Sequence, residues 1–80
     1  MNVVLTPEEF LASQKANFQE LSSGKLFNLG MKRYFITIKK SGDFVEVIEL
    51  NAENIRRIIN EQPCVHSTLN FDEMEGLNLV

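Results

Sequence analysis

Residues Lys32 to Leu50, KRYFITIKKSGDFVEVIEL, constrain this chain more than any other stretch. Two runs rich in β-branched and aromatic side chains flank Ser41-Gly42-Asp43, with seven charged residues spread over the whole stretch. Such side chains favour a pleated, packed surface, and a short Gly-containing break between two runs of this kind sets an antiparallel hairpin. In the first run Tyr34, Ile36 and Ile38 share one face, while Arg33, Phe35, Thr37 and Lys39 share the other. In the second, Val45 and Val47 alternate with Phe44, Glu46, Ile48 and Leu50. Neither strand is cleanly two-faced, which predicts partial exposure of Phe35 or Phe44. A hairpin with helical segments on both sides confines an 80-residue chain to the α+β class.

The helix before the hairpin carries a strong start signal. Thr6 can cap it, Pro7 suits the first helical position because its missing N–H is not needed there, and Glu9 can close a capping box. Phe10, Leu11, Phe18 and Leu21 form its predicted apolar stripe, and Ser22-Ser23-Gly24 supplies the stop, placing the helix over about Pro7 to Ser23. Lys25 to Gly30 reads equally as a short strand or a packed loop. After the hairpin, Asn51 caps a second helix whose buried stripe is expected to be Ile55, Ile58 and Ile59, with Pro63 ending it. Val65, Ser67, Leu69 and Phe71 then alternate with His66, Thr68 and Asn70 as a last strand. If Met1 to Leu5 is also a strand, the order β-α-β-β-α-β is compatible with a ferredoxin-like arrangement, two helices packed on one face of a small antiparallel sheet. If it stays unpaired, an α-β-β-α-β meander remains. A single domain over residues 1–80 is expected, with an acidic and apolar tail at about 72–80.

Length and composition narrow the class. A chain this short buries roughly 60–65% of its unfolded surface, enough for one small core. Hydrophobic content of 44% and charged content of 24% belong to a folded chain rather than a disordered one. No apolar run approaches the roughly 20 residues that cross a bilayer, and MNVVLTPEE lacks the basic and long apolar regions of a signal peptide. The lone Cys64 cannot form an internal disulfide. These features point to a cytoplasmic setting.

Eight Lys and Arg face eleven Asp and Glu, for a net charge of −3. That balance argues against direct nucleic-acid binding, which draws its affinity from neutralising phosphates. No Lys or Arg follows Arg57, whereas Glu61, Asp72, Glu73 and Glu75 do, so the C-terminal end is the acidic end.

Motifs for chemistry are sparse. Cys64 and His66 would project from the same face of a strand, but a closed zinc site needs about four ligands, and the chain has no second Cys or His. No orienting group marks the pair as nucleophile and base. The carboxylates fall in helix first turns, where the helix dipole accounts for them, or alternate on strands. Gly24, Gly30, Gly42 and Gly76 are isolated, without a phosphate-binding or dinucleotide pattern. These exclusions predict no catalytic residues, no metal ligands and no cofactor.

Gly42 to Val47, GDFVEV, resembles the aromatic strand motif of the RNA-recognition family, which stacks bases on an open sheet face. It departs from that motif at the acidic Asp43 and Glu46 and at Val47, where an aromatic is expected. A base- or ligand-binding module of this kind would gather Arg33, Phe35 and Lys39 on its exposed face. Thr6 to Leu21, TPEEFLASQKANFQEL, together with Val47 to Asn51, VIELN, resembles segments of phasins, helical proteins that coat polyester storage granules. That resemblance implies an all-helical, homo-oligomeric structural protein, which the Lys32–Leu50 hairpin opposes.

The remaining candidate site is Asp72, Glu73, Met74 and Glu75, where charge would steer a partner and the Met and Leu side chains of the tail would supply contact area. The same tail could fold back or add a strand to a homodimer. In size, charge and absent chemistry the chain resembles virus-encoded inhibitors of host defence nucleases, including anti-CRISPR proteins. That resemblance implies a non-enzymatic protein whose carboxylates occlude a basic nucleic-acid-binding surface on a protein partner.

Overall fold

The computed structural model describes residues 6–30 and 32–80. The strand expected at Met1–Leu5, which a ferredoxin-like order would need, lies outside the described residues. Helix α1 spans Pro7–Gln19; strands β1 (Leu26–Leu29), β2 (Arg33–Ser41) and β3 (Phe44–Glu49) follow. Then come α2 (Ala52–Ile59), β4 (Ser67–Asn70), a 3₁₀ turn at Phe71–Glu73 and β5 (Leu77–Leu79). The five strands form one antiparallel sheet in the order β4-β3-β2-β1-β5, so the class is α+β.

The hairpin forms where the sequence places it, with a tighter turn. Ser41 pairs with Phe44, leaving Gly42-Asp43 as a two-residue loop. Gly42 has φ +58°, the first-position requirement of the hairpin turn that matches strand twist. A register shift between Thr37 and Lys39 makes Ile38 an extra residue in β2. This bulge reverses the alternation beyond it. Phe35 and Thr37 face the core before the bulge, and Lys40, beside Val45, faces it afterwards. The sequence pattern had put Lys39 on that face; Lys39 instead lines the opposite side with Phe44, Glu46 and Thr68. Of the two rings left open, Phe35 is buried and Phe44 exposed.

The core lies between α1 and one sheet face. Phe27, Leu29, Phe35, Val45, Val47 and Leu77 pack against Phe18, Leu21 and Met74. The Phe27 and Phe35 rings, cross-strand partners, stack at 5.1 Å. Helix α1 begins with the predicted capping box, Thr6 Oγ1 accepting from Glu9 N at 3.1 Å, but it ends at Gln19 rather than Ser23. Gly24, at φ +86°, serves the turn into β1, where its N–H donates to Thr37 O. The C-terminal carbonyls of α1 are satisfied from the sheet: Lys40 Nζ donates to Phe18 O at 3.2 Å and Gln19 O at 3.0 Å, a cation at the negative end of the helix dipole. The bulge makes this contact available.

Two expectations fail here for an identifiable reason. Phe10 and Leu11 are exposed, and the inward position one turn on belongs to Gln14. Its side chain grips the outer edge of β5, Nε2 donating to Leu77 O at 3.1 Å and Oε1 accepting from Leu77 N at 2.7 Å. Asn17 Nδ2 adds a second bond to Leu77 O at 3.1 Å. The amides replace a neighbouring strand and close an edge that would otherwise be free to pair. The second failure is α2. Ile55, Ile58 and Ile59 are 46%, 52% and 73% exposed, so the expected buried stripe faces solvent. The helix is held instead by Asn54, whose Nδ2 donates to Glu49 O at 2.8 Å and Val65 O at 3.2 Å while Oδ1 accepts from Val65 N at 2.7 Å. The attachment is polar, and α2 contributes no side chain to the core.

Candidate functional site

The C-terminal segment is built into the sheet rather than trailing from it. Asn70 and Glu73 form a reciprocal cap, Asn70 Oδ1 accepting from Glu73 N at 3.0 Å and Glu73 Oε1 accepting from Asn70 N at 3.3 Å. This cap folds the 3₁₀ turn and sets Phe71 against Phe18, ring centres 5.4 Å apart. Met74 follows, 1% exposed, and Gly76 leads into β5. A Cβ on Gly76 would meet Gly30 N at 3.3 Å, and its φ of +78° disfavours any side chain. The chain therefore reaches β1 closely enough for Gly30 N to donate to Gly76 O.

A groove runs between this segment and the first half of α1. It measures about 270 Å³ and is lined by Phe10, Leu11, Gln14, Phe71, Asp72, Met74 and Glu75. Phe10 and Leu11, 42% and 48% exposed, form one apolar wall. The charged residues that line it, Asp72 and Glu75, are both acidic, and Glu8 and Glu9 occupy the adjoining first turn of α1. The volume lies just below the roughly 300–1,000 Å³ of small-molecule pockets, which suits side chains of a partner.

Of the four residues singled out from sequence, Asp72, Met74 and Glu75 line this groove. Met74 is 1% exposed and belongs to the core cluster, so it meets the groove from its floor rather than as an exposed contact. Glu73 is exposed, but its carboxylate closes the turn's own cap. Sequence reasoning missed Phe10, Leu11, Gln14 and Phe71 as neighbours of the acids. Helix spacing carried no signal for this: Phe10, Leu11, Gln14 and Phe18 fall within one arc of about 100°, the width of an ordinary buried stripe, so docking alone decided which of them faces inward.

The other sequence candidates do not converge. Cys64 Sγ approaches Asn54 O at 3.9 Å, while His66 Nδ1 lies 3.6 Å from Glu46 Oε1. No group of three metal-ligating side chains occurs among the described residues. The trio Arg33, Phe35 and Lys39, expected together on an exposed face, is split: Phe35 is core and the bulge turns Lys39 to the other side. Arg33 instead forms a two-pronged ion pair with Glu49, at 2.9 and 3.0 Å, and lies over the Phe35 ring. That hydrogen bonding holds the Glu49 carboxyl below its ordinary pKa against the opposing effect of partial burial, and it holds Arg33 above its own.

A neighbouring hollow of about 310 Å³, lined by Lys15, Phe18, Gln19, Lys40, Gly42, Asp43 and Phe71, mixes both charges. Its Lys40 is already committed to the α1 carbonyls. No helix among the described residues is long and apolar enough to cross a membrane. Comparison with known protein families, curated proteins and solved structures finds no match.

Proposed function

We propose that this chain acts by binding another protein through the α1/71–75 groove, accepting a segment that carries apolar anchors and basic charge. The observation that carries the reading is the pairing of an apolar wall, Phe10 and Leu11, with purely acidic charged lining, Asp72 and Glu75. Apolar side chains supply contact area, and opposite charge raises the encounter rate and selects the partner. In its sharper form, the partner is a nucleic-acid-binding effector such as a host defence nuclease. The carboxylates then sit where phosphates would sit, and the protein inhibits by occlusion in a reducing cytoplasm.

Titration of the purified chain against a panel of such nucleases, with and without their nucleic acid, tests both forms. The expected result is a complex that weakens as salt rises and competes with nucleic acid. Asp72→Lys combined with Glu75→Lys should lower affinity at least tenfold. Unchanged affinity in that double variant would remove the groove reading, whereas a complex indifferent to nucleic acid would remove only occlusion.

A further inference from the structure

The groove is not the only surface that lacks a partner, and the second one has the chemistry the first accepts. Helix α2 presents Ile55, Ile58 and Ile59 along one side, all of them exposed, while its attachment to the domain runs through Asn54, at the edge of that stripe one turn before Ile58. Arg56 is exposed beside that stripe, and Arg57 lies one position further, bonded to Glu53 and to Pro63 O. An amphipathic helix with this much apolar surface in water is an interaction face. It carries apolar anchors and basic charge, and the groove offers an apolar wall and acidic charge.

We infer that α2 of a second copy of this chain seats in the α1/71–75 groove, so that copies associate head to tail. This inference rests on the groove reading above and names one occupant for it. The alternative of pairing α2 with the α2 of a second copy is disfavoured by charge. An antiparallel pair centred on the stripe brings Arg56 of both copies to the same seam, where like charges repel. In the head-to-tail contact Arg56 meets Asp72 and Glu75 instead. Such a contact uses two different patches, so it leaves one free groove and one free α2 at the ends and can extend into rings or open chains. An eight-residue helix seated in one groove makes a small contact, so the association is weak and salt-sensitive.

Analytical ultracentrifugation of the purified chain over a rising concentration series, followed by mixing of two variants, tests this. Ile58→Asp blocks the α2 face and leaves the groove intact; Leu11→Asp blocks the groove and leaves α2 intact. Both positions are exposed, and Ile59→Asp, at the most exposed residue of the stripe, provides a second α2 variant if Ile58→Asp does not fold. The expected result is that the wild-type mass rises with concentration, each variant alone stays monomeric, and an equimolar mixture recovers a dimer and nothing larger. A wild-type chain that remains monomeric near millimolar concentration overturns the inference, as does a mixture that remains monomeric. Because Ile58→Asp keeps its groove, an unrelated basic partner that still binds this variant would sustain the groove reading even if self-association fails.

Discussion

The two helices begin alike and end differently. Each opens on a side-chain cap, Thr6 for α1 and Asn51 for α2, and each carries an acidic first turn that suits the helix dipole. Helix α1 then sends Phe18 into the core, with Leu21 just beyond its end, and fastens β5 through Gln14. Helix α2, although its apolar and polar residues are more sharply segregated by position, sends the polar Asn54 inward and its isoleucines outward. The difference separates two questions that amphipathicity tends to merge. A segregated sequence says that a helix has a face to cover; it does not say whether the covering comes from the same chain.

The comparison can be broken most directly by truncating one apolar residue from each helix region. Leu21→Ala should cost about 2–5 kcal/mol, since Leu21 is 2% exposed in the core and its truncation opens a cavity there. Ile58→Ala should stay within about 0.5 kcal/mol, as expected for a surface position. Urea unfolding of both variants at low protein concentration checks this, and similar costs would mean that α2 is packed after all.

The polar anchors sharpen the same contrast. Gln14→Leu leaves the buried Leu77 N–H without a partner, and Asn54→Leu strands the part-buried Val65 N–H, Glu49 O and Val65 O. Each should cost about 1–3 kcal/mol, the usual penalty for stranding buried backbone groups. Hydrogen exchange should localise the damage, with protection lost in β5 for the first variant and across residues 49–65 for the second. Exchange that changes evenly over the sheet in both would contradict independent anchoring.

The smallest expected effect concerns the sheet's ion pair. Because Glu49 has a lowered pKa in the folded chain, the stability it contributes with Arg33 is complete above the ordinary carboxylate range and is lost as pH falls through the depressed folded value. Arg33 is largely exposed, so the contribution is below about 1 kcal/mol. Unfolding followed from neutral pH into the acid range should show a shallower decline for Arg33→Gln than for the wild type. Parallel curves would mean that the pair contributes nothing.

Much of the fold was legible because its signals are local. The capping box at Thr6–Glu9, the Asn51 cap and the Gly42-Asp43 turn each follow from backbone needs met within four residues. Strand β1 reads from sequence equally as strand or loop, and β5 does not read as a strand of this sheet; at four and three residues they are too short for alternation to distinguish them from loop. The bulge at Ile38 was invisible for another reason. It depends on β2 pairing with β3 in one register and on Lys40 reaching the α1 carbonyls, neither of which is encoded in β2 alone. At the candidate site, the acids were legible as a charge cluster, while Phe10, Leu11 and Phe71 joined them only through the docking of α1.

By itself, then, the sequence determined where helices start, where the hairpin turns, which end is acidic and that the class is α+β, since each depends on dihedral preference or charge within a few residues. Tertiary structure alone decided that the C-terminal segment becomes a strand beside β1, that Met74 is core, that Gln14 rather than Phe10 or Leu11 points inward, and that the isoleucines of α2 stay outside. Those outcomes depend on which surfaces compete for a small core. Among the described residues the sheet and helix α1 fill it, and the isoleucines of α2 are left facing water.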